Sequence, residues 1–323
     1  MCTRVLWNTN DVAVLAARTM DWPESTMPML TALPAGMQRN GGLVAGVDVV
    51  GERPLLWTSR YGSVVTTIYG VGTGDGLNTQ GLGVHLLYLE KTDFGERDSS
   101  LEGIHAGLWA QYLLDTASSV EEALEALERF QVVMMEAHGH KASVHLALED
   151  STGDSAIIEY LDGRRHVHHG RENIVLTNEP PFAEQLRLLG EQDFSAPSDT
   201  TELSGNVNPV ARFQRAVYFT RLLPDPPDSR HAVAGVLAVA RNVSVPFGAP
   251  YEGFGLYNTE YRTVVDLTHR RYFFELATSP SLMWVELDNL DLTRGGQAKV
   301  LDPDDIHLAG EVSKAFLSSS APF

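Results

Sequence analysis

Cys2 is the only cysteine among 323 residues, and it directly follows Met1. A lone cysteine has no intrachain disulfide partner and cannot build a Cys-rich zinc site. Methionine before a small residue is commonly removed, which would leave a thiol and a free α-amine on one residue. A thiol titrates near ~8.5 and an α-amine near ~7.7–8.0. Near neutral pH such an amine is partly unprotonated and can act as base toward its own thiol or a water. One residue would then supply nucleophile and base. A cysteine reacts only where its surroundings favour the thiolate, so its neighbours decide the matter. Arg18 and Asp21 put a cation and a carboxylate three apart at the end of a strand that could lie beside Cys2. Asn178 ends the apolar run 174–178 before Glu179-Pro180-Pro181, and a side-chain amide there can serve an oxyanion. Arg212 falls in the first turn of a helix opened by Asn208-Pro209. A cation is unfavourable there by roughly a few tenths of a kcal/mol, which points to another partner holding it. Each residue also has an ordinary meaning, as a surface arginine or a turn residue.

The elements around these residues follow from periodicity and turn chemistry. Residues 3–7 and 12–18 read as a hairpin about Asn8-Thr9-Asn10-Asp11. Strands are expected at 43–50, 54–58, 64–69 and 84–89, with the glycine-punctuated stretch 74–83 as a hairpin turn rather than a phosphate cradle. In 84–89, Val84, Leu86 and Tyr88 share one face and His85 and Leu87 the other, with His85 a half-buried packing residue. Helices are expected at 102–116 and at 120–130, the latter capped by Ser119 with Glu122. Strands return at 131–135, 142–149 and 155–161. Two further helices follow, from Asn208-Pro209 to about Leu223 and over 231–242. Strands at 262–267, 270–277 and 282–287 close the chain. Strands at both ends with four helices between them fit two sheets covered by helices on their outer faces.

Composition narrows the function. Lys and Arg number 24 against 42 Asp and Glu, a net charge of −18. That argues against nucleic-acid or anionic-membrane binding, which need basic patches. No apolar run reaches the ~18 residues of a membrane span. The pairs His138/His140 and His166/His168, with His169, place rings on one strand face, but no fixed third ligand accompanies them, so no metal is assigned. No secretory signal is visible at the start. The expected location is cytoplasmic if Met1 is the native start, and periplasmic if a signal peptide has been removed ahead of it. No repeat or linker divides residues 1–323, which read as one domain.

Taken together, Met1-Cys2-Thr3, Arg18-Thr19-Met20-Asp21-Trp22, Gly76-Leu77-Asn78-Thr79-Gln80-Gly81-Leu82, Leu176-Thr177-Asn178, Pro209-Val210-Ala211-Arg212-Phe213 and the tail from Tyr261 through Trp284 resemble the choloylglycine hydrolase and penicillin V acylase family of N-terminal-nucleophile amidases. The resemblance implies an α+β fold, a four-layer αββα sandwich of two antiparallel sheets, and cleavage of a linear amide in a small acylated molecule without a cofactor. By the same resemblance, Cys2 supplies the attacking thiol and its amine shuttles the proton. Asp21 holds that amine, Arg18 favours the thiolate, and Arg212 supports the charge around the nucleophile. Asn178 and a donor at Tyr88 serve the oxyanion. Tyr88 stands where bile salt hydrolases carry asparagine, so the donor there is expected to be its backbone N–H. Trp22, Tyr88 and residues near 57–69 are expected to receive an apolar or aromatic acyl group. The chain looks closest to the Gram-negative-type penicillin V acylase branch, which is associated with phenoxyacetyl penicillin and acyl-homoserine lactones. Conjugated bile salt hydrolysis is the alternative. A homo-oligomer, dimer or tetramer, is implied, although the stretch from Asn178 to Arg212 is shorter than in gut bile salt hydrolases and lacks what resembles their tetramer-forming loop. The competing reading from another class is a non-catalytic binding or redox-sensing protein on the same fold.

Overall fold

The computed structural model describes residues 1–323 except Glu252, Phe254 and Pro280. In chain order the elements used below are β1 (Cys2–Trp7), β2 (Leu15–Trp22), β3 (Met29–Leu33), β4 (Ser63–Ile68), β5 (Gly72–Asn78), β6 (Leu82–Tyr88), α1 (Ala106–Thr116) and α2 (Val120–Ala126). After them come β7 (Val144–Asp150), β8 (Ser155–Leu161), β9 (Arg164–His169), β10 (Val175–Leu176), α3 (Phe182–Leu189), α4 (Pro209–Arg221) and α5 (Ser229–Asn242). The last are β11 (Gly255–Asp266), β12 (Arg271–Leu276), β13 (Met283–Glu286), β14 (Lys299–Leu301), β15 (Gly310–Glu311) and β16 (Leu317–Ser318).

Among the described residues, one sheet runs β10-β1-β2-β11-β12-β13-β15, and Ala249–Tyr251 pairs with β11. The other runs β9-β8-β7-β6-β5-β4-β3-β14-β16. Pairing is antiparallel except at the edge, where β13 meets β15 in parallel. Helices α4 and α5 cover the first sheet, and α1 and α2 cover the second. This is the expected αββα sandwich. Strand alternation sorts the side chains between layers. Leu82, Val84 and Leu86 join the core under α1 and α2, whereas Leu87 joins the core between the sheets.

Several elements differ from the sequence reading, each for a local reason. The second strand begins at Leu15 rather than Val12, because the Asn10 side chain binds the amides of Val12 and Ala13 in a turn. Residues 102–105 form a strand parallel to 130–133, and the helix starts only at Ala106. The expected strand 43–50 is broken into Leu43–Val44 and Val47–Asp48 by Ala45 and Gly46, both at positive φ. Most of the glycine-rich turn expected at 74–83 is strand, since β5 runs to Asn78 and the turn is confined to 79–81. The glycines there serve packing: a Cβ on Gly72 would lie 2.5 Å from the Gly107 carbonyl oxygen, and one on Gly76 would lie 2.8 Å from Leu114. Strand β3 and helix α3 had no sequence signal strong enough to be read.

Candidate active site

Strands β1 and β2 pair in register, Cys2 opposite Met20 and Arg4 opposite Arg18. Alternation sends Cys2, Arg4, Arg18 and Met20 toward the second sheet, and sends Thr3, Thr19 and Asp21 toward α4. Cys2 is thus served from two sides. On the sulfur side, Arg18 Nη2 lies 3.3 Å from Cys2 Sγ and donates to the Leu86 carbonyl at 2.8 Å. Arg18 is buried, which works against its charge. The Cys2 sulfur, Tyr261 and Asp75 outweigh that cost and hold it above its ordinary pKa.

The backbone side is built by Asn178 and by side chains from β2 and α4. The Cys2 amide donates to Asn178 Oδ1 at 2.7 Å, and Arg212 Nη2 donates to the same oxygen at 2.8 Å. Arg212 also donates to the Cys2 carbonyl at 2.7 Å and to Thr3 Oγ1, and its Nη1 stands 3.4 Å from Asp21 Oδ2. These contacts supply the partner that its place in the first turn of α4 called for. The helix start is fixed by Asn208, whose side chain accepts from the Ala211 amide at 2.8 Å, with Pro209 following. Asp21 accepts from Thr259 at 2.6 Å and from Thr19 at 3.0 Å, beside a bulge between β2 and β11. Bulges of this kind re-aim side chains near active sites.

Met1 is attached here, so the Cys2 nitrogen is an amide standing where the free amine of a chain lacking Met1 would be. The Met1 ammonium donates to the Asp21 carbonyl, and the Asp21 amide donates to the Met1 carbonyl at 2.6 Å. Burial lowers the pKa of that ammonium. Asp21 therefore engages Met1 through its backbone, while the Cys2 nitrogen is held by Asn178.

A parting of strands makes room for all this. Strand β6 pairs with β5 only as far as His85 opposite Asp75. Beyond that point, β6 carbonyls that no longer face a β5 partner accept from the site: Leu86 from Arg18, and Tyr88 from Asn178 Nδ2 at 2.7 Å. On its other edge β6 continues against β7, with Leu89 donating to the Ser143 carbonyl at 2.9 Å. The N–H and C=O of Tyr88 therefore both point away from β7, toward Asn178.

A family model described as linear amide C–N hydrolases, choloylglycine hydrolase family, matches residues 2–306. The chain belongs to this family. It is 34% identical to a penicillin V acylase of Pectobacterium atrosepticum over 93% of this chain and 85% of that protein. The structure of penicillin V acylase from Agrobacterium tumefaciens superposes with a TM-score of 0.89 at 35% identity, covering 99% of this chain and 98% of that one. A conjugated bile acid hydrolase from Clostridium perfringens shares the fold, with a TM-score of 0.77 at 20% identity over 96% of this chain and 98% of that one. Membership in the choloylglycine hydrolase family makes the chain a hydrolase of linear amides acting on small molecules, and sets aside the non-catalytic alternative.

Cys2, Arg18, Trp22 and Tyr88 meet at one largely apolar pocket. Its other walls include Ile68, Leu86, Met135 and Val144. Of residues 57–69, only Ile68 and Tyr69 reach it. Trp57 lies elsewhere, donating to Asp115 at 2.8 Å and packing on Tyr112. The Trp22 ring meets Tyr88 at 5.5 Å, and its Nε1 donates to Tyr69 at 2.9 Å. The hairpin Glu136–Lys141 closes one side of the pocket. It stacks His138 on Tyr69 at 4.3 Å and sets His140 3.4 Å from Glu24.

Sequence reasoning missed the buried ionic groups beneath Arg18. His85, taken for a half-buried packing residue, is fully buried, with Nε2 2.5 Å from Glu149 and Nδ1 3.6 Å from Asp75. The signal available was four titratable residues, Arg4, Asp75, His85 and Glu149, set among apolar or glycine-rich neighbours.

Proposed function

We propose that the chain hydrolyses amides of apolar or aromatic acyl groups in the manner of a penicillin V acylase, with Cys2, freed of Met1, as nucleophile. The observation that carries this reading is the Arg18 guanidinium 3.3 Å from the Cys2 sulfur at the wall of an apolar pocket. A cation in that place stabilises a thiolate.

The free amine of Cys2, held by Asn178 Oδ1, takes the thiol proton. Sulfur bonds to the substrate carbonyl carbon, and the C=O electron pair moves onto oxygen. The second Nδ2 hydrogen of Asn178 and the Tyr88 backbone N–H are the oxyanion donors. The C–N bond then breaks, and the protonated Cys2 amine gives its proton to the leaving nitrogen. Water, deprotonated by the same amine, attacks the resulting thioester. The C–S bond breaks, sulfur recovers a proton, and the carboxylic acid departs. Arg212, paired with Asp21, holds the Cys2 carbonyl so that amine and sulfur keep their relative positions. Trp22, Tyr69 and Tyr88 receive the acyl group.

A substrate panel on protein whose N-terminus has been verified tests this. Turnover of penicillin V, or of acyl-homoserine lactones, above that of glycine- and taurine-conjugated bile acids is expected. Preference for the bile acids would move the chain to the alternative. Residues 1–323 are read as one domain, because β14 and β16 from the C-terminal part complete the sheet that β3 begins. Family resemblance supports a homo-oligomer, dimer or tetramer, which sedimentation at working concentration tests. No helix among the described residues is long and apolar enough to cross a membrane. Cytoplasmic residence is proposed if Met1 is the native start and periplasmic residence if a leader is removed, which fractionation distinguishes.

A further inference from the structure

Arg4 and Arg18 lie directly opposite each other on β1 and β2, and both side chains are fully buried. Like charges so placed repel, and the second sheet answers with two carboxylates. Glu149 of β7 accepts from Arg4 Nε at 2.9 Å, and Asp75 of β5 stands 3.6 Å from Arg18 Nη1. His85 of β6 lies between the carboxylates, 2.5 Å from Glu149 and 3.6 Å from Asp75. Neighbouring glycines keep the space open. A Cβ on Gly83 would sit 2.6 Å from Glu149 Oε1, and one on Gly74 would sit 3.2 Å from Arg18 Nη1.

The groups facing this chain from the other strands are neutral. Tyr272 of β12 donates to Asp75 at 2.8 Å, and Thr263 of β11 donates to the same carboxylate. Tyr261 of β11 lies beside Arg18, and burial holds both phenols well above their ordinary pKa. Across Cys2, Asp21 and Arg212 pair with each other, and burial biases the N-terminal amine beside the sulfur toward its neutral form. The charge of the buried set is thus decided at His85. If the imidazole is neutral, two arginines balance two carboxylates, and Asp75 cancels the charge that Arg18 presents to sulfur. If it is protonated, the set carries one positive charge in excess.

We propose that His85 is a positioning residue for the Cys2 nucleophile: clamped as an imidazolium between Asp75 and Glu149, it keeps the buried ion set one positive charge in excess, and the Cys2 thiolate completes the balance. Burial opposes the imidazolium, but Glu149 and Asp75 outweigh it and raise its pKa, while Glu149 is held down to about 2. Ionisation of Cys2 and protonation of His85 are therefore linked through Asp75 and Arg18. The proposal rests on Cys2 being the nucleophile.

The test is the pH profile of iodoacetamide alkylation at Cys2 in the whole protein, followed by intact mass, with near-UV circular dichroism to confirm the fold. No substrate is involved. His85→Gln removes the excess charge and moves the profile up by about one pH unit, a roughly tenfold slower reaction on its acid limb. Glu149→Gln adds to the excess at pH values where Asp75 still holds His85 protonated, and there moves the profile down. The double variant restores a single excess charge and returns the profile toward wild type, which a purely structural role would not do. Folded variants whose profiles coincide with wild type, or which both move the same way, overturn the proposal. If His85→Gln does not fold, Glu149→Gln decides: a downward shift supports the proposal, and no shift or an upward one overturns it. An inert Cys2 in the wild-type protein removes the nucleophile reading and this proposal with it, whereas a reactive Cys2 indifferent to His85 removes this proposal alone.

Discussion

The two sides of Cys2 are built from different materials. On the backbone side, the Cys2 amide donates to Asn178 and the Cys2 carbonyl accepts from Arg212, and Arg212 also donates to Asn178. On the sulfur side a single guanidinium touches the thiol, and it is backed by a buried line of ions reaching through Asp75, His85 and Glu149 to Arg4. One side specifies geometry and the other specifies charge. Substitutions on the first should degrade placement of the reacting atoms. Those on the second should change how readily sulfur ionises.

The largest expected effect removes what both sides serve. Cys2→Ser should keep the fold, checked by circular dichroism, and lower kcat by at least ~10³-fold. Next, on the geometric side, Asn178→Ala removes the proposed oxyanion donor and the acceptor of the Cys2 nitrogen. It should lower kcat by roughly 10²–10³-fold with KM little changed, measured by steady-state kinetics. On the charge side, Arg18→Met takes from buried Asp75 one of the two cationic groups that stand 3.6 Å from it. Thermal or urea unfolding should show a loss of about 3–5 kcal/mol, along with slower alkylation of Cys2.

The smallest effect concerns pH. Glu149, held at about 2, and Asp75, held below its ordinary value by His85 and Arg18 against the cost of burial, stabilise the fold fully above about pH 4.5. That contribution is lost as pH falls toward 2, on the order of 3 kcal/mol for Glu149. His85, held above 6.5, contributes fully below that pH and loses its contribution as pH rises through its folded value. Urea denaturation should therefore show greatest stability from these groups between about pH 4.5 and 6.5. Glu149→Gln should flatten the acid limb.

The same contrast explains what could be read in advance. Cys2, Asp21, Asn178 and Arg212 sit at or beside strand ends or at a helix start, where local chemistry marks a residue as out of place, and Arg18 lies inside β2 three residues before Asp21. Arg212 in the first turn of α4 is the clearest case. His85 gave no such mark, because its neighbours Asp75 and Glu149 arrive through the register of three strands. The layer order was legible from strands at both ends and helices between. Strand β5 was not, because its glycines signal a turn until α1 is packed against them. Helix α3 follows two prolines and is short, so its periodicity had no room to show.

The account stands most directly on the mass of the protein caught during turnover of penicillin V. Acid quenching in the steady state should give a chain lacking Met1 and carrying one phenoxyacetyl group on its N-terminal cysteine, released by hydroxylamine. Active protein that retains Met1, or turnover during which Cys2 stays unmodified under conditions where deacylation limits the rate, would contradict it.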